Sequence, residues 1–192
     1  CNIFLENLND PAKIADISNA LRRRWIAEVT FLKAYYHFYL LRMYGPIPII
    51  HENLPISASV SEVRKKRMPV DSVANYIVSL IDEAIPNLPK SITDRSTELG
   101  RITQSIALSI KAKVLVTMAS PLFNGNEAYR DFNDKEGMPL FNAAFDLQKW
   151  EAAAQACEAA ISACEEAGVY LYEFDEIANI TDTTRLQLSI RN

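Results

Sequence analysis

The stretch Phe31–Ile50, FLKAYYHFYLLRMYGPIPII, decides the fold, because a helix crowded with aromatic residues ends abruptly within it. Upstream, apolar residues recur at three- and four-residue steps back to Ser18, whose short polar side chain is typical of a helix N-cap. Gly45 tolerates the positive φ that often follows a helix, and Pro46 cannot continue one. The sequence therefore predicts one long helix from about Ser18 to Tyr44.

Three further segments carry apolar residues at helical spacing together with residues that start and stop helices. Asp71 is placed to cap a helix that ends before Asn87, and Thr103 is placed to cap another that ends at Ser120. The same periodicity predicts a fourth helix over 148–167. The fold class is therefore expected to be all-α.

Long irregular loops separate the predicted helices. Segments 51–70 and 124–146 are polar and contain many residues that favour turns. The helix over 148–167 fits the first-helix spacing of a tetratricopeptide repeat only loosely, and no clean period of about 34 residues occurs. We expect tetratricopeptide-like helical hairpins with inserted loops, in one scaffold over 1–192. Segment 169–174, VYLYEF, is either a short strand or an extended edge.

Composition argues against several classes of function. The chain has 192 residues, a net charge of -4 and a pI near 5.3, which disfavours nucleic-acid binding. The basic runs Arg22–Arg24 and Lys65–Arg67 are short, and we expect them to be solvated faces. The five glycines lack the spacing of a nucleotide-binding loop, so no cofactor is expected. The two histidines form no metal-binding motif, and three cysteines do not make a disulfide framework.

Four ordered blocks of the chain resemble the SusD/RagB family of outer-membrane nutrient-binding lipoproteins. Lys33 stands where the family usually has arginine, and Leu80 stands where an acidic residue is common. The third block, GRITQSIALSIKAKVLVTMASPLFN, is the most specific. The positions that match are Ala27, Glu28, Phe31, Leu32, Ala34, Tyr35, Tyr36, Leu40, Tyr44, Gly45 and Pro48; Arg67, Val73, Ile77, Ala84, Leu88 and Pro89; Gly100, Arg101, Thr103, Ala107, Leu108, Lys111, Ala112, Lys113, Leu115 and Ser120–Asn124; and Trp150, Ala153 and Ala154.

The resemblance implies a protein that binds and does not cleave. Family members are α-helical, are held by lipid on the outer face of the outer membrane of Bacteroidetes, and cap a SusC-type TonB-dependent transporter. They hand the transporter glycans, or in some members peptides. The resemblance also implies that this chain is a fragment of a longer protein. We expect the lipid anchor to lie upstream of it, because Cys1 precedes an apolar helical segment rather than a flexible tether.

The aromatic residues divide into two expected roles. Because hairpin scaffolds bury each helix on several sides, the rings of the long helix are expected in the core or between helices; these are Trp25, Tyr35, Tyr36, Phe38 and Tyr39. A sugar platform needs exposed rings on loops, with polar groups to fix the hydroxyls. The candidate ligand-binding residues are therefore those of the second long loop: Tyr129 and Phe132, with Asn124 and Asn126 as hydrogen-bonding neighbours.

Three functions follow as hypotheses. The first is a non-catalytic glycan-binding subunit of an outer-membrane uptake complex. An alternative within this hypothesis is a member of the same family that binds peptides instead of glycans. The second is a helical-repeat scaffold that binds only protein partners. The third is a glycoside hydrolase, which is disfavoured because adjacent carboxylates such as Asp82 and Glu83 diverge on a helix and do not face each other.

Overall fold

The computed structural model describes residues 1–10, 12–174 and 179–191. Within these ranges the chain forms eight α-helices and no strand, so the all-α prediction is confirmed; Asn133 and Pro139 form one isolated bridge. Short 3-10 turns occur at Ile85–Asn87 and Glu127–Tyr129. The helices are α1 (Asn2–Asn9), α2 (Asn19–Tyr44), α3 (Val60–Val63), α4 (Val70–Ala84), α5 (Arg95–Glu98), α6 (Gln104–Ala119), α7 (Leu147–Glu166) and α8 (Asp182–Arg191).

Helix α2 has the boundaries that the sequence predicts. The Oγ atom of Ser18 accepts a hydrogen bond from the backbone N–H of Leu21 at 3.2 Å. At the other end, Gly45 has a φ of 67°, a conformation that L side chains rarely adopt, and its N–H donates to the carbonyl of Leu41. The 26 residues between these caps make α2 the longest helix that the structure describes.

The expectation that the rings of α2 lie in the core or between helices is wrong for the three tyrosines. Trp25 is only half-buried and the tyrosines at 35, 36 and 39 are exposed, whereas Phe38 is buried as expected. Two apolar stripes with helical spacing lie on roughly opposite faces of α2, and periodicity alone does not choose between them. The residues of the buried stripe are spaced four and three apart: Ala27, Phe31, Ala34, Phe38 and Leu41. The two alanines are small and allow α4 to pack closely against α2.

The four long helices run alternately up and down. Met68, just before α4, donates its N–H to the carbonyl of Ile47, just after α2, at 2.9 Å. Gln104 at the start of α6 donates to the carbonyl of Pro89, beyond the end of α4, also at 2.9 Å. Helix α2 packs on α4, α4 contacts α6, and α6 packs on α7. The result is two helical hairpins, α2–α4 and α6–α7, joined through α4 and α6.

The main core lies between α2, α4 and α6. Its fully buried side chains include Leu41, Ile77, Ile81 and Val114. The α6–α7 hairpin uses smaller residues, because Ala112 packs against alanines of α7 in a separate cluster; the buried residues of α7 are Ala153, Ala156 and Ala160. The apolar spacing of α7 predicts an inner face that also includes Trp150, Ala154 and Ile161, but these three residues are exposed.

Two local predictions also need correction. Asp71 does not cap α4, because the N–H of Val70 is bonded to the carbonyl of Leu140 at 3.0 Å and the helix starts earlier, after Pro69. Asp71 lies instead in the first turn, where a carboxylate interacts favourably with the helix dipole, and it pairs with Lys149 at 2.7 Å. Segment 169–174 forms no strand, which excludes the first of its two expected forms. Thr103 does cap α6, accepting from the N–H of Ile106.

A network of two acids and two arginines ties α2 to the segment before α6. Arg101 donates to both carboxylate oxygens of Glu28, at 3.0 and 2.9 Å, and to Glu98 at 2.6 Å. Arg24 donates to both oxygens of Glu98, at 3.0 and 3.1 Å, and to Glu28 at 3.1 Å. These side chains are only 15–27% exposed, so water screens the pairs less than it screens surface pairs. Hydrogen bonding to Glu28 raises the pKa of Arg101.

Among the described residues, no helix combines the length and the hydropathy that crossing a membrane requires.

Replacing Glu28 with Gln or Arg101 with Lys removes the paired hydrogen bonds that join α2 to the segment before α6. We expect each change to lower the free energy of unfolding by about 1–3 kcal/mol, and the double variant to lose less than the sum. Urea unfolding of the four members of this cycle measures the coupling. Arg130→Lys, which alters an exposed pair with Glu127, is the control and should change stability by less than about 0.5 kcal/mol. A loss of unfolding free energy in the double variant equal to the sum of the two single losses would contradict the network.

Asp94 generates a prediction about pH. Its carboxylate caps α5 and accepts hydrogen bonds from Ser96 Oγ at 2.6 Å, Thr97 Oγ1 at 2.7 Å and Ser96 N at 2.9 Å, which lower its pKa to about 2. Because the folded pKa lies below the unfolded one, this cap stabilises the fold above pH 3.8 and the contribution is lost as the pH falls through about 2. Ser96→Ala should raise the pKa of Asp94 toward 3.8 in an NMR titration of the carboxyl carbon. Ser79→Ala, which leaves Asp94 untouched, should not move it.

Candidate functional site

The second long loop leaves α6 at Ser120 and returns to α7 at Leu147, and the side chain of Asn124 closes its neck. The amide of Asn124 donates to the carbonyl of Asp146 at 2.9 Å and to that of Ala119 at 3.4 Å, while its oxygen accepts from Asp146 N at 2.7 Å. Asn124 is buried. The structure thus commits this candidate residue to holding the two ends of the loop together.

Asn126, the second amide candidate, organises the turn that follows. Its side-chain oxygen accepts from the N–H of Ala128 at 3.1 Å, which caps the 3-10 turn Glu127–Tyr129, and its amide donates to the carbonyl of Leu122 at 3.2 Å. Asn126 is half-buried. Its contacts therefore orient the turn that carries Tyr129.

Tyr129 and Phe132 come together in the structure, on a ring that the sequence analysis did not single out. Tyr129 stacks on Phe141 with ring centroids 4.3 Å apart and planes 16° from parallel. Phe132 meets Phe141 edge-on at 5.7 Å and Tyr129 edge-on at 6.2 Å. Phe123 stacks on Phe141 at 6.1 Å. Phe141 is thus the centre of the cluster, and only its position in an aromatic-rich loop signalled it.

This cluster lines a cleft at the C-terminal end of α2. The cleft has a volume of about 310 Å³, and we call it the aromatic cleft; its walls include Met43, Tyr44, Phe123, Tyr129, Phe132 and Phe141. Gly45 lies beside the ring of Phe141, where a Cβ atom would make only an ordinary contact at 3.5 Å, so it is the positive φ of the turn that favours glycine here. Small-ligand clefts of about 300–1,000 Å³ are typically lined by aromatic residues of this kind.

The two histidines do not line this cleft. His37 is buried, its Nδ1–H donates to the carbonyl of Lys33 at 2.7 Å, and its ring meets Tyr76 edge-on at 5.3 Å. Burial is the main reason why the pKa of His37 is lowered. His51 packs edge-on against the same tyrosine at 4.8 Å, and its carbonyl accepts from Lys33 Nζ at 2.6 Å. These contacts fasten the segment after α2 to the helices.

In the part of the chain that the structure describes, no three histidine, cysteine, aspartate or glutamate side chains gather as metal ligands.

Comparison with known proteins identifies the family of the chain that carries this cleft. Residues 1–116 match the SusD-like family described as "Starch-binding associating with outer membrane". A SusD-like protein of Bacteroides ovatus is 28% identical over 120 residues, which is 62% of this chain and 20% of that protein.

Solved structures give the same result. The structure of BT4246 is 33% identical to this chain, with a TM-score of 0.81 over 95% of this chain and 33% of that one. The structure of a laminarin-binding SusD-like protein is 28% identical, with a TM-score of 0.53 over 62% of this chain and 24% of that one. The chain therefore spans a third or less of the length of these relatives. Because the family match covers more than half of the 192 residues, the chain belongs to the SusD-like family.

Proposed function

We propose that the complete protein is a non-catalytic glycan-binding subunit of an outer-membrane uptake complex, in which it hands oligosaccharide to a SusC-type TonB-dependent transporter. One observation carries the proposal: a chain of a family described as starch-binding and associated with the outer membrane presents a cluster of loop aromatic rings in an open cleft. We further propose that the protein is lipid-anchored and exposed at the cell surface.

The aromatic cleft suits a sugar because a pyranose ring has an apolar C–H face and a polar edge. Phe132 is 39% exposed and Tyr129 is half-buried, so both combine rigid support from Phe141 with accessible surface. Rings that are already fixed by packing in the free protein lose little conformational freedom when a ligand binds. In this proposal Phe132 and Tyr129 contact the sugar, and Asn124 and Asn126 hold the loop that carries them.

The name of the laminarin-binding relative supports a carbohydrate rather than a peptide as the ligand class. Affinity electrophoresis of the complete protein through gels that contain single polysaccharides tests the proposal. Retardation by at least one glycan, with no release of new reducing ends on prolonged incubation, is expected. Retention by peptides alone, or turnover of any glycan, would contradict it. Co-purification with a TonB-dependent transporter from solubilised outer membranes tests the partner separately.

The aromatic cleft also predicts which side chains matter. We expect Phe132→Ala to weaken binding of the retarding glycan about tenfold or more, equivalent to about 1.4 kcal/mol, because it removes exposed ring surface. Tyr170→Ala is the matched control, since Tyr170 is 73% exposed just beyond the far end of α7, and it should leave binding unchanged. Titration of the complete protein with oligosaccharide by calorimetry measures both. Equal losses in the two variants would argue against the aromatic cleft as the site.

A further inference from the structure

A second cleft opens between the two long loops, beside the aromatic cleft. Its volume is about 480 Å³, and we call it the basic cleft; its walls are Arg64–Arg67 from the first loop and Asn133–Glu136 from the second. The sequence indicated only a short basic run with a solvated face. The structure sets this run across a cavity from Lys135, so that five cationic side chains surround one space.

Backbone hydrogen bonds hold the two walls side by side. The first loop is bonded to the end of α2 by Met68 and to the second loop by Val70, which donates to the carbonyl of Leu140 at 3.0 Å. The second wall is a small turn, closed by Asp134 N, which donates to the carbonyl of Met138 at 2.9 Å, and by Leu140 N, which donates to the carbonyl of Phe132 at 3.0 Å. The segment that follows Arg67 and the turn that forms the second wall are thus both fixed by backbone hydrogen bonds.

The two carboxylates at the basic cleft leave most of its positive charge uncompensated. Asp134 accepts from the backbone N–H groups of Met138 at 2.8 Å and Glu136 at 2.9 Å, and these bonds lower its pKa. Glu136 pairs with Lys66. The other cations of the basic cleft have no carboxylate within ion-pair distance among the described residues; they are Arg64, Lys65, Arg67 and Lys135. A chain with a net charge of -4 thus concentrates positive charge at one site.

The basic cleft and the aromatic cleft share a boundary. The guanidinium group of Arg67 lies 5.4 Å from the centroid of the Phe132 ring, a cation–π arrangement. Phe132 in turn contacts Tyr129 and Phe141 in the aromatic cleft. A ligand that lies on Phe132 therefore has cationic groups on one side and apolar rings on the other.

We propose that the basic cleft recognises acidic saccharides, whose carboxylate or sulfate groups bind its arginine and lysine side chains while a neighbouring sugar ring lies against Phe132. This inference rests on the proposed function and narrows its ligand class. Guanidinium groups bind carboxylates and sulfates through paired hydrogen bonds, and lysine ammonium groups add charge without fixed geometry. Bound acid groups would relieve the repulsion between Lys65, Arg67 and Lys135 across the cavity.

The test compares acidic and neutral polymers on the complete protein. The probes are polygalacturonate for carboxylates, dextran sulfate for sulfates, neutral dextran and laminarin, and poly-glutamate as an acidic polymer that is not a sugar. Affinity is measured by electrophoresis in probe gels and by titration at roughly 0.15 M salt, where the Debye length is about 8 Å and long-range attraction is screened. Binding of polygalacturonate or dextran sulfate is expected, and the stronger of the two identifies the acid group.

Two matched double variants make the assignment specific. Lys65→Gln with Lys135→Gln removes one free cation from each wall, and we expect it to weaken binding of the acidic polysaccharide about tenfold or more. Lys90→Gln with Lys113→Gln removes the same charge from exposed positions elsewhere and should change affinity by less than about twofold. Neutral glycan binding, where it occurs, should be the same in both variants.

Each remaining outcome overturns the inference in a distinguishable way. Equal weakening by the two double variants would mean that net charge, and not the basic cleft, attracts the polymer. Binding of a neutral glycan but of neither acidic polysaccharide would overturn the inference and leave the proposed function standing. Binding of poly-glutamate without either acidic polysaccharide would overturn the sugar assignment. Binding of none of the four probe polysaccharides would overturn the inference, whereas the proposed function falls only when no glycan in the affinity gels retards the complete protein.

Discussion

The packing of one stripe of α2 against α4 is the contact on which the rest of the structure depends. Ala27 and Ala34 let the helices approach, while Phe31, Phe38 and Leu41 fill the space between them with buried apolar surface. This contact fixes the rotation of α2 about its axis. The rotation in turn decides that Tyr44 and the Gly45 turn face the second long loop, where Phe141 and its neighbours form the aromatic cleft.

The caps of α2 and α6 could be predicted from sequence, whereas the buried face of α2 could not. Ser18 and Thr103 cap as expected because a cap is a local hydrogen bond, made within three residues of the chain. The buried face of a helix depends on its partner. Since α2 carries apolar residues all round, including the exposed Tyr36 and Tyr39, its sequence is equally consistent with two orientations and only α4 distinguishes them.

The candidate site was predictable in part for the same reason. Tyr129 and Phe132 lie three residues apart in a loop and do meet, but Phe141, on which both rest, joins them only through the folding of the loop. Two positions of the family resemblance form a long-range contact that the sequence analysis did not predict. Glu28 and Arg101 belong to separate family blocks, and in the structure they form a bidentate pair across 73 positions of sequence.

The separation of core and loops indicates where substitutions leave the helical frame intact. The main core lies almost entirely on α2, α4 and α6, whereas the residues of the basic cleft come from loops and are largely exposed. A change at Arg64 or Lys135 therefore alters charge at the cleft without disturbing buried packing. Asn124 and Phe141 differ from these positions, because one closes the neck of the loop and the other supports its rings. Under the proposed function, ligand preference would therefore change with residues at the cleft walls, while Asn124 and Phe141 maintain the shape of the loop.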